Sequence, residues 1–433
     1  MAKKTTISNW GNYPRIEAEV AAFGSPEALS PYIRQQPQLL ARGNGRCYGD
    51  AALNDRLFST LRLNKFLDFD PQRGELECQS GVLFADIIQL LLPQGFFLPV
   101  TPGTKFITVG GAIAADIHGK NHHSEGCFSR HLIHFDLMNG AGEQLRCSRS
   151  ENPELFWNTV GGMGLTGIIL SARFQLKRIE TAYIRQESLK APNLEAVMQL
   201  FEESADWTYT VAWIDCLQRG RKQGRSLLMR GEHARLEELP EALRAQPLSI
   251  KPRRRLSVPF HLPSFTLNTL SVKAFNWLYY HRQRRPVQHS IVDYDSFFYP
   301  LDAIHHWNRI YGRRGFTQYQ LVLPKAQCAA GLPAILDCIR EAGQGSFLCV
   351  LKLFGPKAEE AIHSFPIEGY TLALDFKINK NIRPLIAELD KLLLQYGGKV
   401  YLAKDAFSDK RLSGIQYDFA DAKFTSIQRK RLD

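Results

Sequence analysis

Four glycine-punctuated stretches follow one another in the first part of the chain: RGNGRCYGD (42–50), TPGT (101–104), TVGGAIAADIHGKNHH (108–123) and TVGGMGLTG (159–167). Without a side chain, glycine lets main-chain N–H groups approach a phosphate or another backbone closely. One such stretch is only a turn. Four in one domain, in this order, are stronger evidence that main chain lines an anionic group. Neither RGNGRCYGD nor VGGMGLTG completes a GxGxxG between strand and helix with an acid about twenty residues on, so a Rossmann site is not indicated. No GxxxxGK[ST] occurs, which excludes a P-loop.

Between the glycine stretches the pattern alternates. Helices are expected at 26–36, 84–95 (ended by Gly95) and 153–160, and strands at 60–69, 75–81 and 168–179. Farther on, a helix at 192–206 precedes a strand at 208–217. From residue 316 the order becomes regular: strand 316–325, helix 330–343, strands 346–355 and 369–378, helix 383–398 and strand 399–405. That βαββαβ order predicts an antiparallel sheet with helices on one side, in an α+β chain.

Residues two apart on a strand share a face. Gln318 and Gln320 therefore share a side, as do Thr371, Ala373 and Asp375. Lys352 aligns with Leu348 and Val350, and Lys404 with Val400 and Leu402. With helices covering the apolar face, the polar set converges on the other and forms a candidate substrate floor. Burial there lowers a lysine's pKa unless a carboxylate such as Asp375 restores it. The alternative is a plain solvent-facing side.

The net charge is +11, and residues 251–285 concentrate it, with eight Lys/Arg and no acid. The charges sit mainly at the ends, around Phe260, Phe265, Leu270, Phe275, Trp277 and Tyr280. Such an arrangement suits an anionic membrane surface better than nucleic acid, where rings would interleave with the charges. The competing reading is an ordinary insertion whose apolar residues pack on the core. Eight scattered cysteines with no CxxC pair argue against structural zinc or a disulfide framework. With no secretory signal and no run of eighteen apolar residues, a cytoplasmic protein peripheral to the membrane is expected. His118, His122 and His123 lack an HExxH frame and have Lys120 among them, so no metal site is expected.

Taken together, the four glycine stretches resemble the FAD domain of the vanillyl-alcohol-oxidase-type flavoproteins. DIHGKNHH, KLFGP (352–356), SFPIEGY (364–370) and YLAKD (401–405) are similar to one branch of that superfamily, the decaprenylphosphoryl-β-D-ribose 2′-oxidases. The resemblance spans nearly the whole chain. It implies a two-subdomain FAD-binding domain over 1–180, a substrate domain over 181–398 carrying the 251–285 insertion, and a return segment, 399–433, that contributes to the site. It also implies a chain continuing a turn or two beyond Asp433.

Carried over by motif, the resemblance implies that Ala41, Arg42, Gly43, Asn44, Gly45, Arg46, Cys47, Tyr48, Gly49, Asp50 and Ala51 wrap the FAD diphosphate. Gly103, Thr108, Val109, Gly110, Gly111, Ala115, Asp116, Ile117, His118, Ile168 and Tyr401 line the rest of the cofactor. Lys404, His118 and Tyr48 are the candidate catalytic residues, with Lys404 positioning the sugar hydroxyl and His118 a candidate base. Lys120 and Lys352 are assigned to the glycosyl phosphate, and Gln318, Gln320, Thr371 and Asp375 to the remaining substrate contacts. FAD is expected to be non-covalent, since Gly45-Arg46-Cys47 stands where many superfamily members attach it to histidine. Ala373 stands where mycobacterial members carry a cysteine attacked by nitroaromatic inhibitors, which implies escape from that trapping.

The implied reaction is oxidation of the sugar 2′-hydroxyl of a polyprenyl-phosphoryl pentose. A separate short-chain ketoreductase would complete an epimerisation to the arabinose donor. The alternative is an FAD oxidase of a small soluble alditol or aldonolactone. A nucleic-acid partner is not expected.

Overall fold

The computed structural model describes residues 4–251, 256–263, 265–414 and 417–433. Three sheets organise them. The first has four strands in the order Lys4–Ser8, Arg15–Ala21, Arg56–Ser59 and Leu40–Arg42. A second, of five strands, runs Phe66–Asp70, Glu75–Gln79, Ile168–Gln175, Leu132–Met138 and Gln144–Ser148. The strand expected over 60–69 is thus broken. Thr60–Arg62 turns as a 3₁₀ segment because Leu63 N–H bonds back to Thr60 O, and the new strand begins at Phe66.

The third sheet has eight strands: Val287–Asp293, Tyr183–Ala191, Ser226–His233, Tyr209–Ile214, Cys349–Phe354, Gly369–Lys377, Phe316–Pro324 and Lys399–Val400. The expected βαββαβ unit supplies its last four. Helix Cys328–Glu341 buries Leu332, Ile335, Leu336 and Ile339, and helix Ile382–Gln395 buries Ile382, Leu385, Ile386 and Leu389. This i, i+3, i+4, i+7 spacing makes one apolar stripe per helix. Both stripes pack on Leu321, Leu323, Leu351, Leu372 and Leu374. Full burial of each such side chain contributes about 1.5–3 kcal/mol. A one-residue slip would turn all of them outward, so the apolar face fixes the register and with it the opposite face.

The strand expected over 399–405 is shorter than its pattern. Pairing with Phe316–Pro324 ends at Val400, Tyr401 N–H still reaches Gln320 O (2.9 Å), and Lys404 N–H then folds back to Tyr401 O (2.9 Å). Lys404 therefore projects from a turn at the sheet edge, not from a strand.

Beyond this turn the chain returns to the first two sheets. Asp421 N–H bonds Leu165 O, Thr425 N–H bonds Leu39 O and Ile427 N–H bonds Leu53 O. Arg431 then spans two buried carboxylates, Asp50 (2.9 Å) and Asp405 (2.6 Å), tying the final helix Ile427–Leu432 to both ends of the cradle.

In the basic-apolar segment, residues 252–255, with three of its arginines, lie outside the described residues. Helix Thr269–His281 is anchored by Asn276, whose Nδ2 donates to Asp215 (2.8 Å), and by Val272 and Tyr280. The same helix leaves Leu270, Trp277 and Leu278 more than half exposed. Among the described residues no helix is long and apolar enough to cross a membrane.

Candidate active site

The loop from Ala41 to Ala51 leaves the strand Leu40–Arg42 and is held by its own side chains. Arg42 donates to Ser8 O (2.8 Å) and Ala52 O (2.9 Å), Asn44 donates to Phe106 O (2.8 Å), and the Arg46 guanidinium lies 4.2 Å from the Trp10 ring centre. Two glycines are obligatory here. A Cβ on Gly43 would overlap the Thr108 hydroxyl, and one on Gly49 would overlap the Asp405 carbonyl. Tyr48 N–H reaches Ala403 O (3.0 Å), which closes the loop against the 401–405 turn. Asp50 has its carboxylate committed to Arg431.

Thr108 caps the short helix Val109–Ala114, its hydroxyl accepting from Gly111 N–H (3.1 Å). The chain then crosses Asp116 at φ 35°, a positive value rare outside glycine. Asp116 is held there by Ser129 N–H (3.1 Å) and the Ser364 hydroxyl. Tyr401 donates to Ala115 O (2.9 Å). These bonds turn His118 toward the eight-stranded sheet, where its Nε2 lies 2.9 Å from Gln320 Nε2.

On that sheet, register sets three rungs of one face. Gln318 opposes Asp375; Gln320, Ala373 and Val350 align; and Val322, Thr371 and Lys352 align. Gln318 donates to Asp375 Oδ1 (2.6 Å) and Tyr311 donates to its Oδ2 (3.1 Å). Gln320 Nε2 lies 3.3 Å from the Thr371 hydroxyl. Lys404 Nζ sits 3.9 Å from the Tyr48 ring centre. Lys120 stands apart on a neighbouring wall: its amine donates to Phe297 O and lies 4.3 Å from the Phe297 ring centre.

Burial dominates the electrostatics. It brings Lys120 and Lys352 down to about 7, with Lys352 and Lys404 respectively adding repulsion. Lys404 comes down to about 8, against the opposing pull of Asp375. Burial lifts Asp375 to about 7, while Gln318, Tyr311 and Lys404 pull it back. His118 falls well below the usual imidazole range, first from burial and then from Lys352, His122 and Lys404. Its ring is enclosed by Phe354 (4.8 Å), Tyr401 (5.0 Å) and Phe365 (5.7 Å). His122 is packed behind it on Phe354 (4.5 Å). Among the described residues no group of three or more His, Cys, Asp or Glu could hold a metal ion.

Two participants were not assigned to the site from the sequence, although Phe365 lies in the SFPIEGY stretch. Tyr311, from the 3₁₀ segment Trp307–Tyr311, reaches Asp375 across 64 residues, and Phe365 closes over His118 from a loop. Neither lies on a periodic element, so alternation could not place them.

A family model for an FAD binding domain matches residues 27–148. The decaprenylphosphoryl-beta-D-ribose oxidase of Mycolicibacterium smegmatis is 35% identical over 410 residues, covering 92% of this chain and 88% of its own. This chain belongs to that oxidase family. An uncharacterized protein of Streptomyces coelicolor is 31% identical over 77% of the chain. The L-gulonolactone oxidase of Mus musculus is 25% identical over 40% of it.

As a member of this family, the protein is an FAD-dependent oxidoreductase of α+β, vanillyl-alcohol-oxidase-type fold. The residues present fit that cofactor. The cradle is backbone at the points where Gly43 and Gly49 allow no Cβ, while a Cβ at Gly103 would meet only open space. The chemistry of this loop, main-chain N–H groups beside Arg42 and Arg46, suits a diphosphate.

Proposed function

We propose that the protein oxidises the 2′-hydroxyl of a polyprenyl-phosphoryl pentose, decaprenylphosphoryl-β-D-ribose or a near relative, to the 2′-ketone. One observation carries the choice of an anionic sugar. Lys352 acts on Lys120 and is acted on by Lys404, all three are partly buried, and among the described residues Asp375 is the one carboxylate acting on them. Such a site is short of negative charge, and a phosphodiester supplies it through charge-assisted hydrogen bonds. A neutral alditol or aldonolactone would leave the lysines uncompensated.

Bound FAD supplies a two-electron acceptor for the hydride that leaves the carbinol carbon. The chain's part is to hold the sugar and take the hydroxyl proton. Lys404, poised near 8, is the base, because that value allows both proton uptake and release near neutrality. Lys352 meets the phosphate from the floor and Lys120 from the wall. Gln320 and the Asp375–Gln318 pair bind sugar hydroxyls. Phe354, Phe365 and Tyr401 keep water from the side of His118.

The decaprenyl tail needs a lipid-facing exit. Helix Thr269–His281 offers exposed Leu270, Trp277 and Leu278 beside Arg282, Arg284 and Arg285, a combination that suits peripheral contact with an anionic membrane. The product ketone calls for a separate hydride-donating ketoreductase to complete epimerisation. The test is anaerobic addition of polyprenyl-phosphoryl ribose to the purified yellow protein. Bleaching of the oxidised FAD absorbance is expected; its persistence overturns the reading.

A further inference from the structure

The hydrogen bonds around Gln320 have a direction that can be worked out from one end. The Thr371 hydroxyl lies 2.7 Å from Leu321 O, and a carbonyl oxygen only accepts, so Thr371 spends its single proton there. Gln320 Nε2, 3.3 Å from the same hydroxyl, must then be the donor. An amide nitrogen has no lone pair to offer, so its second hydrogen goes to His118 Nε2 at 2.9 Å. His118 Nε2 is thereby an acceptor, and in a neutral imidazole the proton sits on Nδ1. That atom is buried and has no polar partner among the described residues, facing instead the cage of Phe354, Tyr401 and Phe365.

We infer that Leu321 O, Thr371, Gln320 and His118 form a relay that fixes His118 as the neutral Nδ1–H tautomer and locks the Gln320 amide with its carbonyl oxygen free for substrate. Both Gln320 hydrogens are used, so Oε1 is the one polar atom it can present. A fixed acceptor on the substrate floor pairs with a hydroxyl and repels a phosphate oxygen. The floor therefore distinguishes the two ends of a glycosyl phosphate: Lys352, one rung along, takes the anion, and Gln320 takes a sugar O–H. Thr371 and His118 act through Gln320 and are positioning residues. His118, with Nε2 occupied and Nδ1 protonated, has no lone pair with which to act as base, and that task falls to Lys404.

The charged and titratable groups around the imidazole are Lys352, Lys404, His122, Tyr401 and Cys127, and among the described residues no carboxylate acts on it to favour an imidazolium. Burial disfavours it further.

The sugar-binding half of this inference rests on the proposed substrate; the tautomer does not. The experiment is long-range nitrogen NMR on the holoenzyme labelled with ¹⁵N-histidine, the His118 signals being identified by their loss in His118→Asn. A pyridine-like Nε2 and a pyrrole-like Nδ1, unchanged across the neutral range, are expected. Gln320→Glu presents only acceptor oxygen to Nε2 and is expected to move the proton there or to create an imidazolium. Thr371→Ser is expected to keep the wild-type signature, and Thr371→Val to lose it or to broaden it into a mixture. A wild-type Nε2–H or imidazolium overturns the relay, as does a Gln320→Glu spectrum identical to wild type. With polyprenyl-phosphoryl ribose, Thr371→Val is expected to raise KM roughly tenfold, the loss of about one directed hydrogen bond, with kcat held and Thr371→Ser restoring KM. A kcat loss at unchanged KM overturns the positioning role. If the wild type fails to oxidise that substrate, the proposed function falls, while the NMR result still decides the tautomer.

Discussion

Lys404 illustrates how much chemistry one side chain takes from its surroundings. Burial drives its amine down from the ordinary lysine range, and Asp375, itself steadied by Gln318 and Tyr311, pulls it partway back to about 8. The sign of any change follows. If neutral Lys404 takes the proton, kcat rises with pH and levels off above about 8. Asp375→Asn removes the opposing negative charge, so the charged amine loses support, its pKa falls, and the rising limb moves to lower pH. Opposite charges at close range shift a pKa by one unit or more, so a displacement of roughly one pH unit is expected. Lys404→Met is expected to lower kcat by about 10²–10⁴-fold while FAD remains bound. Rate profiles of the wild type and both variants check this. A limb that stays in place in Asp375→Asn would remove Lys404 from the role of base.

At the scale of elements, the antiparallel unit was legible because a strand has a period of two and its helices declare the apolar side. Leu372, Leu374 and Phe376 join the helices, which leaves Thr371, Ala373 and Asp375 on the floor. The edge of the same sheet was not legible. Lys404 continues the alternation of Val400 and Leu402 in sequence, yet the chain leaves the sheet at Val400, and a turn brings the lysine to Tyr48. Nor could Tyr311 be found, since its bond to Asp375 is a long-range contact from an aperiodic segment. The rung of Gln320, Ala373 and Val350 gives a direct check on the register. Ala373→Cys places a thiol on the substrate floor, whereas Leu374→Cys places one among the helices, where the native side chain is fully buried. Peptide mapping after a thiol reagent is expected to find position 373 modified and protected by polyprenyl-phosphoryl ribose, with position 374 unmodified. The reverse pattern would mean the register is off by one.

The whole molecule adds a constraint that neither scale contains. The site is assembled from the cradle loop, the His118 segment, the eight-stranded sheet and the 401–405 turn, and Arg431 couples the first and last of these through Asp50 and Asp405. Helix Thr269–His281 is moored to the same sheet. Trp213, aligned with Val350 on the floor side, lies 4.6 Å from Tyr279 with the rings tilted at 49°, so the apolar helix and the proposed substrate floor share one face. In the proposed reading, the outer side of that helix is where a long lipid tail leaves the site. Transfer of Trp277 and Leu278 into a membrane interface is worth up to about 1.5–3 kcal/mol each, and each basic residue near an anionic surface adds about 1 kcal/mol. Together these terms exceed the roughly 1.4 kcal/mol that makes a tenfold change in partitioning. The variant Trp277→Ser/Leu278→Ser removes mostly exposed surface, with the Trp277–His281 ring contact the main packing lost, so its melting temperature should fall by only a few degrees. Cosedimentation with vesicles containing anionic lipid is expected to fall at least tenfold, and added salt should weaken the wild type's binding through the arginines. KM for a long-tailed substrate presented in those vesicles should rise in parallel. Equal sedimentation of variant and wild type would show that the helix faces something other than a membrane, and the exit for the tail would then have to lie elsewhere on the sheet.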